Sequence, residues 1–127
     1  MVHTLGNHEY YGAANGEISR DIFALPESAQ GSYYSVEYGS VYVGVINNGG
    51  NIAEALGQMK QDAAASSCEW KVLVTHEPVY GTTDEMSADA RKRFTDAIEA
   101  AGIEFVFSGD DHSYARTYPM KGGSCIC

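Results

Sequence analysis

The stretch Trp70-Lys71-Val72-Leu73-Val74-Thr75-His76-Glu77-Pro78 decides how the rest of the chain is read. Residues 70–75 are almost continuously apolar and β-branched, as in a strand buried on both faces. The pattern then stops at a histidine, an acid and a proline. Upstream, Ile52, Leu56, Met59 and Ala63 recur at helical spacing, so residues 52–66 read as an amphipathic helix. Downstream, Ser87 caps a helix over 87–101, with Asp89 in its first turn, a Phe94, Ile98 and Ala101 stripe, and Gly102 as its stop. Residues 103–108 repeat the buried-strand pattern and run into Gly109-Asp110-Asp111-His112. Strand, helix and strand in this alternation predict an α/β layer with helices packed on a sheet.

The earlier half adds a hairpin. Residues 32–38 and 41–47 are two strand candidates joined by Gly39-Ser40. In the first, Tyr34, Val36 and Tyr38 share one face while Ser35 and Glu37 share the other; the second is apolar on both. Residues 12–31 read as a surface connection holding one helical turn. Residues 1–5 read as an opening strand, closed by the turn signal Gly6-Asn7.

A chain of 127 residues, 44% apolar and 20% charged, suits one globular domain over 1–127 and excludes wholesale disorder. No apolar run approaches the roughly 20 residues of a membrane span, so no membrane partner is expected. Seventeen acidic against eight basic residues give a net charge of −9, a surface that repels nucleic acid. Three cysteines are too few for a disulfide framework. Cys68 stands alone, and the Cys125-x-Cys127 pair points only weakly to a thiolate metal module. The first residues lack the basic and long apolar regions of a signal peptide.

Three strand-like runs each end at a short loop bearing His, Asn or Asp: Gly6-Asn7-His8-Glu9, Thr75-His76-Glu77-Pro78 and Gly109-Asp110-Asp111-His112. Ligands in α/β sheets bind beyond the carboxyl ends of strands. Neighbouring parallel strands would therefore bring the three loops to one site. Imidazole, amide oxygen and carboxylate together suit Zn, Fe or Mn. Gly6 and Gly109 are expected to let the backbone turn sharply enough to aim a side chain at an ion.

In this order the motifs Gly6-Asn7-His8-Glu9, Thr75-His76-x-Pro78 and Gly109-x-x-His112 resemble the calcineurin-like metallophosphoesterase family. The ending His112-Ser113-Tyr114-Ala115-Arg116 is similar to its purple acid phosphatase-like branch. The resemblance implies hydrolysis of a small phosphate ester, a monoester or a diester, by metal-bound hydroxide at a site with two metal ions of the Fe, Zn or Mn class. It implies that Asn7 and His76 bind the second metal and His112 the first. His8 would face the substrate, hydrogen-bonding the phosphoryl group or protonating the leaving oxygen. Tyr114 and Arg116 would line the substrate site, with an ordinary ion pair the competing reading of Arg116. The family's setting also allows an extracellular or periplasmic location.

Two departures stand out. The family opens with Asp-x-His and Gly-Asp motifs that no residue before Gly6 supplies. The chain is thus expected to be the C-terminal part of a layered sandwich, sheet with flanking helices, whose first βα units are missing. Exposed apolar faces at 41–46 and 72–74, and association of the chain, are expected to follow. The second departure is Asp110, where the family has His. It either ligates a metal as a harder donor or marks a degraded site. The alternative function is therefore a catalytically inactive binding or scaffold domain on the same fold. Elsewhere the plain readings are preferred: Glu77 exposed, Tyr10 and Tyr11 packing a half-exposed surface, Asp84, Glu85 and Asp89 solvating a helix start, and His3 structural.

Overall fold

The computed structural model describes residues 2–11, 16–25, 31–47, 49–82 and 86–126; Asp84, Glu85 and Cys127 lie outside them. After a short helix, α1 (Glu17–Phe23), the hairpin strands β1 (Tyr33–Tyr38) and β2 (Val41–Ile46) lead into α2 (Ile52–Ala65). Then follow β3 (Trp70–Thr75), α3 (Ala88–Ala101), β4 (Phe105–Phe107) and a small hairpin, β5 (Met120–Lys121) and β6 (Ser124–Cys125). The main sheet has the order β1-β2-β3-β4. β1 is antiparallel to β2, whereas β2, β3 and β4 run parallel. The α/β expectation, a sheet flanked by helices, therefore holds.

Local chemistry sets the element ends. Asn51 Oδ1 accepts from Glu54 N–H at 3.2 Å to cap α2, and Ser87 Oγ accepts from Ala90 N–H at 3.3 Å to cap α3. Each such cap is worth about 1 kcal/mol. Gly102 ends α3 at φ 68°, the left-handed region where glycine has no Cβ penalty. Both long helices lie on one face of the sheet. There Tyr33, Tyr42, Ile46 and Leu73 meet Leu56, Met59, Ala63, Phe94 and Ala97 in the main core. Tyr34 and Val45 anchor a smaller cluster on the opposite face, with Leu25, Val36, Val43 and Val74 against it.

Burial raises the pKa of Tyr33, Tyr34 and Tyr42, with the Tyr33–Tyr42 hydroxyl contact adding to the effect at Tyr33. The folded state thus keeps these phenols protonated, while the unfolded chain releases their protons near pH 10. Their contribution to stability is then fully present below about pH 10 and is lost as the pH rises further. Denaturant midpoints measured from pH 8 to 11 should drop only above that value; a flat profile would show the phenols to be solvated.

Several expectations need correction. The opening strand expected over 1–5 is not formed among the described residues 2–5, where both edges of β2 are already taken by β1 and β3. Those residues are tied instead through side chains: Thr4 Oγ1 donates to Ile46 O at 2.8 Å, and Leu5 N–H donates to Asn47 Oδ1 at 3.1 Å. The strand expected over 103–108 shrinks to Phe105–Phe107 and is not buried, with Phe105, Val106 and Phe107 at 50%, 37% and 60% exposure. It is the sheet's outer strand, and the helical core reaches only to Ile103 and Leu73. The apolar exposure expected at 41–46 and 72–74 is not found there, since Tyr42, Val45, Ile46 and Leu73 are buried; in this part of the sheet it falls on β4. The single turn expected in 12–31 is the seven-residue α1. Cys68 is a free thiol, while Cys125 is disulfide-bonded, which the cysteine count does not anticipate. No helix among the described residues is long and apolar enough to cross a membrane.

Candidate metal centre

Parallel pairing of β3 and β4 puts the loops that follow them side by side, and Gly109 N–H donates to His76 O at 3.0 Å across the gap. The segment before Asn7 reaches the same edge through its bonds to Ile46 and Asn47 at the end of β2. All three loops thus arrive beyond the carboxyl end of the sheet.

His76 stands at their meeting point. Its Nε2 lies 3.2 Å from Asn7 Oδ1 and 3.0 Å from Asp110 Oδ1. All three residues are partly buried. Gly6 makes room for the ring: a Cβ there would lie 2.6, 2.7 and 2.8 Å from Cε1, Nδ1 and Nε2 of His76. Gly6 therefore serves close approach rather than a sharp turn. Gly109 leaves ordinary space, its nearest approach to His76 being 3.8 Å. The backbone irregularity falls instead on Asp110 and His112, with φ of 67° and 51°. Non-glycine residues in that region cost on the order of 1 kcal/mol or more each and concentrate at functional sites.

The other candidates stand apart from this trio. His112 is exposed and makes no hydrogen bond or ion pair with Asn7, His76 or Asp110. His8 is exposed on a 3-10 turn, its ring edge-on to Tyr11 at 5.0 Å. Tyr114 is 92% exposed, and Arg116 is exposed with no ion pair among the described residues. Glu77 is exposed, and Tyr10 packs its ring against the Gly49 backbone. His3 stacks on Phe23 at 4.1 Å, and its N–H and carbonyl both bond to the Tyr34 hydroxyl.

Among the described residues no group of three His, Cys, Asp or Glu could hold a metal ion. The trio has three donors only because the Asn7 amide supplies one. Ligands bound at about 2.0–2.2 Å on adjacent positions of one ion lie roughly 3 Å apart. The 3.0 and 3.2 Å separations match that spacing, and imidazole, amide and carboxylate form a donor set for a borderline-to-hard cation. In donor chemistry and in the two separations from His76 Nε2, the three residues therefore suit one shared divalent ion.

Two supporting groups were not singled out from sequence. Glu9 Oε2 accepts the Gly6 N–H at 2.8 Å and closes the turn bearing Asn7. Asn47, fully buried, bonds Leu5 N–H and Gly31 O. The acid closing Gly6-Asn7-His8-Glu9 hints at the first; nothing local marks the second. Beside His76 opens a hollow of about 250 Å³, lined by Thr4, Val74, Phe107, Ser108 and Gly109.

A family model for calcineurin-like phosphoesterases matches residues 1–114. No curated protein and no solved structure matches the chain.

Proposed function

The chain belongs to the calcineurin-like phosphoesterase family, hydrolases of phosphoesters that use bound divalent metals, and from that premise we propose that it acts on a small phosphate monoester in the manner of the purple acid phosphatase-like branch. The observation that carries this is His76 Nε2 set between Asn7 Oδ1 and Asp110 Oδ1, three donors from three loops. These three would hold one ion of a two-metal site, and His112 would serve the other. A divalent cation bound there supplies Lewis acidity, polarising a phosphoryl oxygen and lowering the pKa of water.

The chain's own side chains do the rest. Asp110 takes the place of a neutral imidazole and makes the site a harder, more anionic one, which suits Mn or Mg better than Zn. His8, exposed at the end of the Asn7 turn, donates a proton to the leaving oxygen. Arg116 and Tyr114 approach the ester from solvent, and the hollow beside His76 takes a small leaving group.

The test is hydrolysis of p-nitrophenyl phosphate with Mn²⁺, Zn²⁺ or Fe²⁺ added singly and in pairs. Turnover should need the ion and disappear with a chelator. His8→Ala should lower kcat roughly 100-fold, the scale of a lost general acid. The second reading, a binding domain without turnover, is favoured by the separation of His112 from the trio. Metal retention with no hydrolysis under any ion pair would establish it instead.

A further inference from the structure

The loops that deliver His76 and Asp110 share a second set of contacts, which the proposed reaction leaves unused. The Asp111 carboxylate accepts from the Thr82 N–H and, at 3.0 Å, from the Thr82 hydroxyl. Thr82 Oγ1 also meets Ser113 Oγ at 2.9 Å. Thr82 belongs to the segment that follows His76, so this cluster ties the loop after β3 to the loop after β4.

The position of Asp111 gives the tie a purpose. Its neighbours on either side, Asp110 and His112, are the left-handed residues at φ 67° and 51°. A loop holding two such residues relaxes unless its surroundings over-determine it. Gly109 N–H to His76 O fixes where the loop starts, and Asp111 N–H to Gly109 O, at 2.8 Å, closes its first turn. Neither bond restrains the chain beyond Asp110 against the opposite loop. The Asp111 and Ser113 contacts to Thr82 do, on both sides of His112.

We propose that Asp111 is a positioning residue: by clasping Thr82 it holds residues 109–113 in the conformation that aims Asp110 at His76, and so sets the affinity of the site for a divalent cation. This rests on the metal-site reading above. The contacts that make the clasp are hydrogen bonds accepted from Thr82, which an amide oxygen can accept as well as a carboxylate. Outer groups that orient metal ligands typically govern 10–100-fold in affinity.

Equilibrium dialysis against Mn²⁺ alone, on the full chain, tests the idea without reference to turnover. Asp111→Ala should weaken Mn²⁺ binding about 10–100-fold. Asp111→Asn, whose amide oxygen still accepts from Thr82, should restore most of it. The ion-free melting temperature should be alike in all three proteins. Unchanged affinity in Asp111→Ala overturns the proposal. Equal loss in Asp111→Ala and Asp111→Asn also overturns it, assigning the effect to charge. If Asp111→Ala does not fold, Thr82→Ala decides, with a several-fold loss expected and wild-type affinity overturning the clasp. Wild-type chain that retains no Mn²⁺ defeats the metal-site reading itself, and a clasp that fails on a metal-binding wild type leaves that reading standing.

Discussion

Gly6→Ala is expected to remove divalent-metal binding while the fold survives. The added Cβ would sit 2.6–2.8 Å from three atoms of the His76 ring, closer than non-bonded carbon and nitrogen come. The ring is the end of a rotatable side chain, so it swings aside and the backbone need not move. Swinging aside breaks both the 3.2 Å approach to Asn7 and the 3.0 Å approach to Asp110. Metal affinity should fall roughly 100-fold, the upper end of what loss of ligand orientation costs. His76→Ala, which deletes the nitrogen outright, should do at least as much. Dialysis against Mn²⁺ reads the affinity, and far-ultraviolet circular dichroism should show melting displaced by only a few degrees. A Gly6→Ala protein that binds metal like wild type would place His76 outside the centre.

The larger effect on stability is expected at Asn47. Its side chain is fully buried; Oδ1 accepts Leu5 N–H and Nδ2 donates to Gly31 O, both at 3.1 Å. Asn47→Ala leaves the Leu5 N–H without an acceptor, and Leu5 is itself 0% exposed. A buried donor left unmade costs about 1–3 kcal/mol, before the cavity is counted. We expect a loss of roughly 2–4 kcal/mol in denaturant unfolding, a large share of a small domain's stability. Metal affinity should fall with it, because the freed segment carries Asn7. Asn47→Asp keeps an acceptor but puts a charge where water does not reach, and should not rescue. Stability within 0.5 kcal/mol of wild type would show that the opening segment is held by other means.

The two substitutions differ in how far each could be anticipated. Gly6 stands inside a motif that singles itself out, although the reason for glycine there is the His76 ring and not a turn. Asn47 ends a strand and begins an Asn-Asn-Gly-Gly-Asn run, and its composition reads as an ordinary turn. Its importance comes from what crosses it, a segment some forty positions earlier. The helices were legible almost to the residue, because their stripes and caps are local signals: Leu56, Met59 and Ala63 are buried as their spacing requires. The ends of the sheet were not. Residues 1–5 and 103–108 both read as strands like β3, and only tertiary pairing decides that the first stays out of the sheet while the second shrinks to its exposed outer strand.

Residue order by itself therefore determined the α/β class, the two long helices with their caps, the hairpin, and the three loops that carry donors. Those features depend on periodicity and on contacts within a few positions. Tertiary structure alone decided which donors meet. It put Asn7 and Asp110 within 3.2 Å of one imidazole nitrogen, left His112 in solvent two residues away, and turned Asp111 toward Thr82. Ångström distances between loops depend on strand pairing, on a buried asparagine and on two left-handed backbone positions, and no local pattern of side chains encodes their sum.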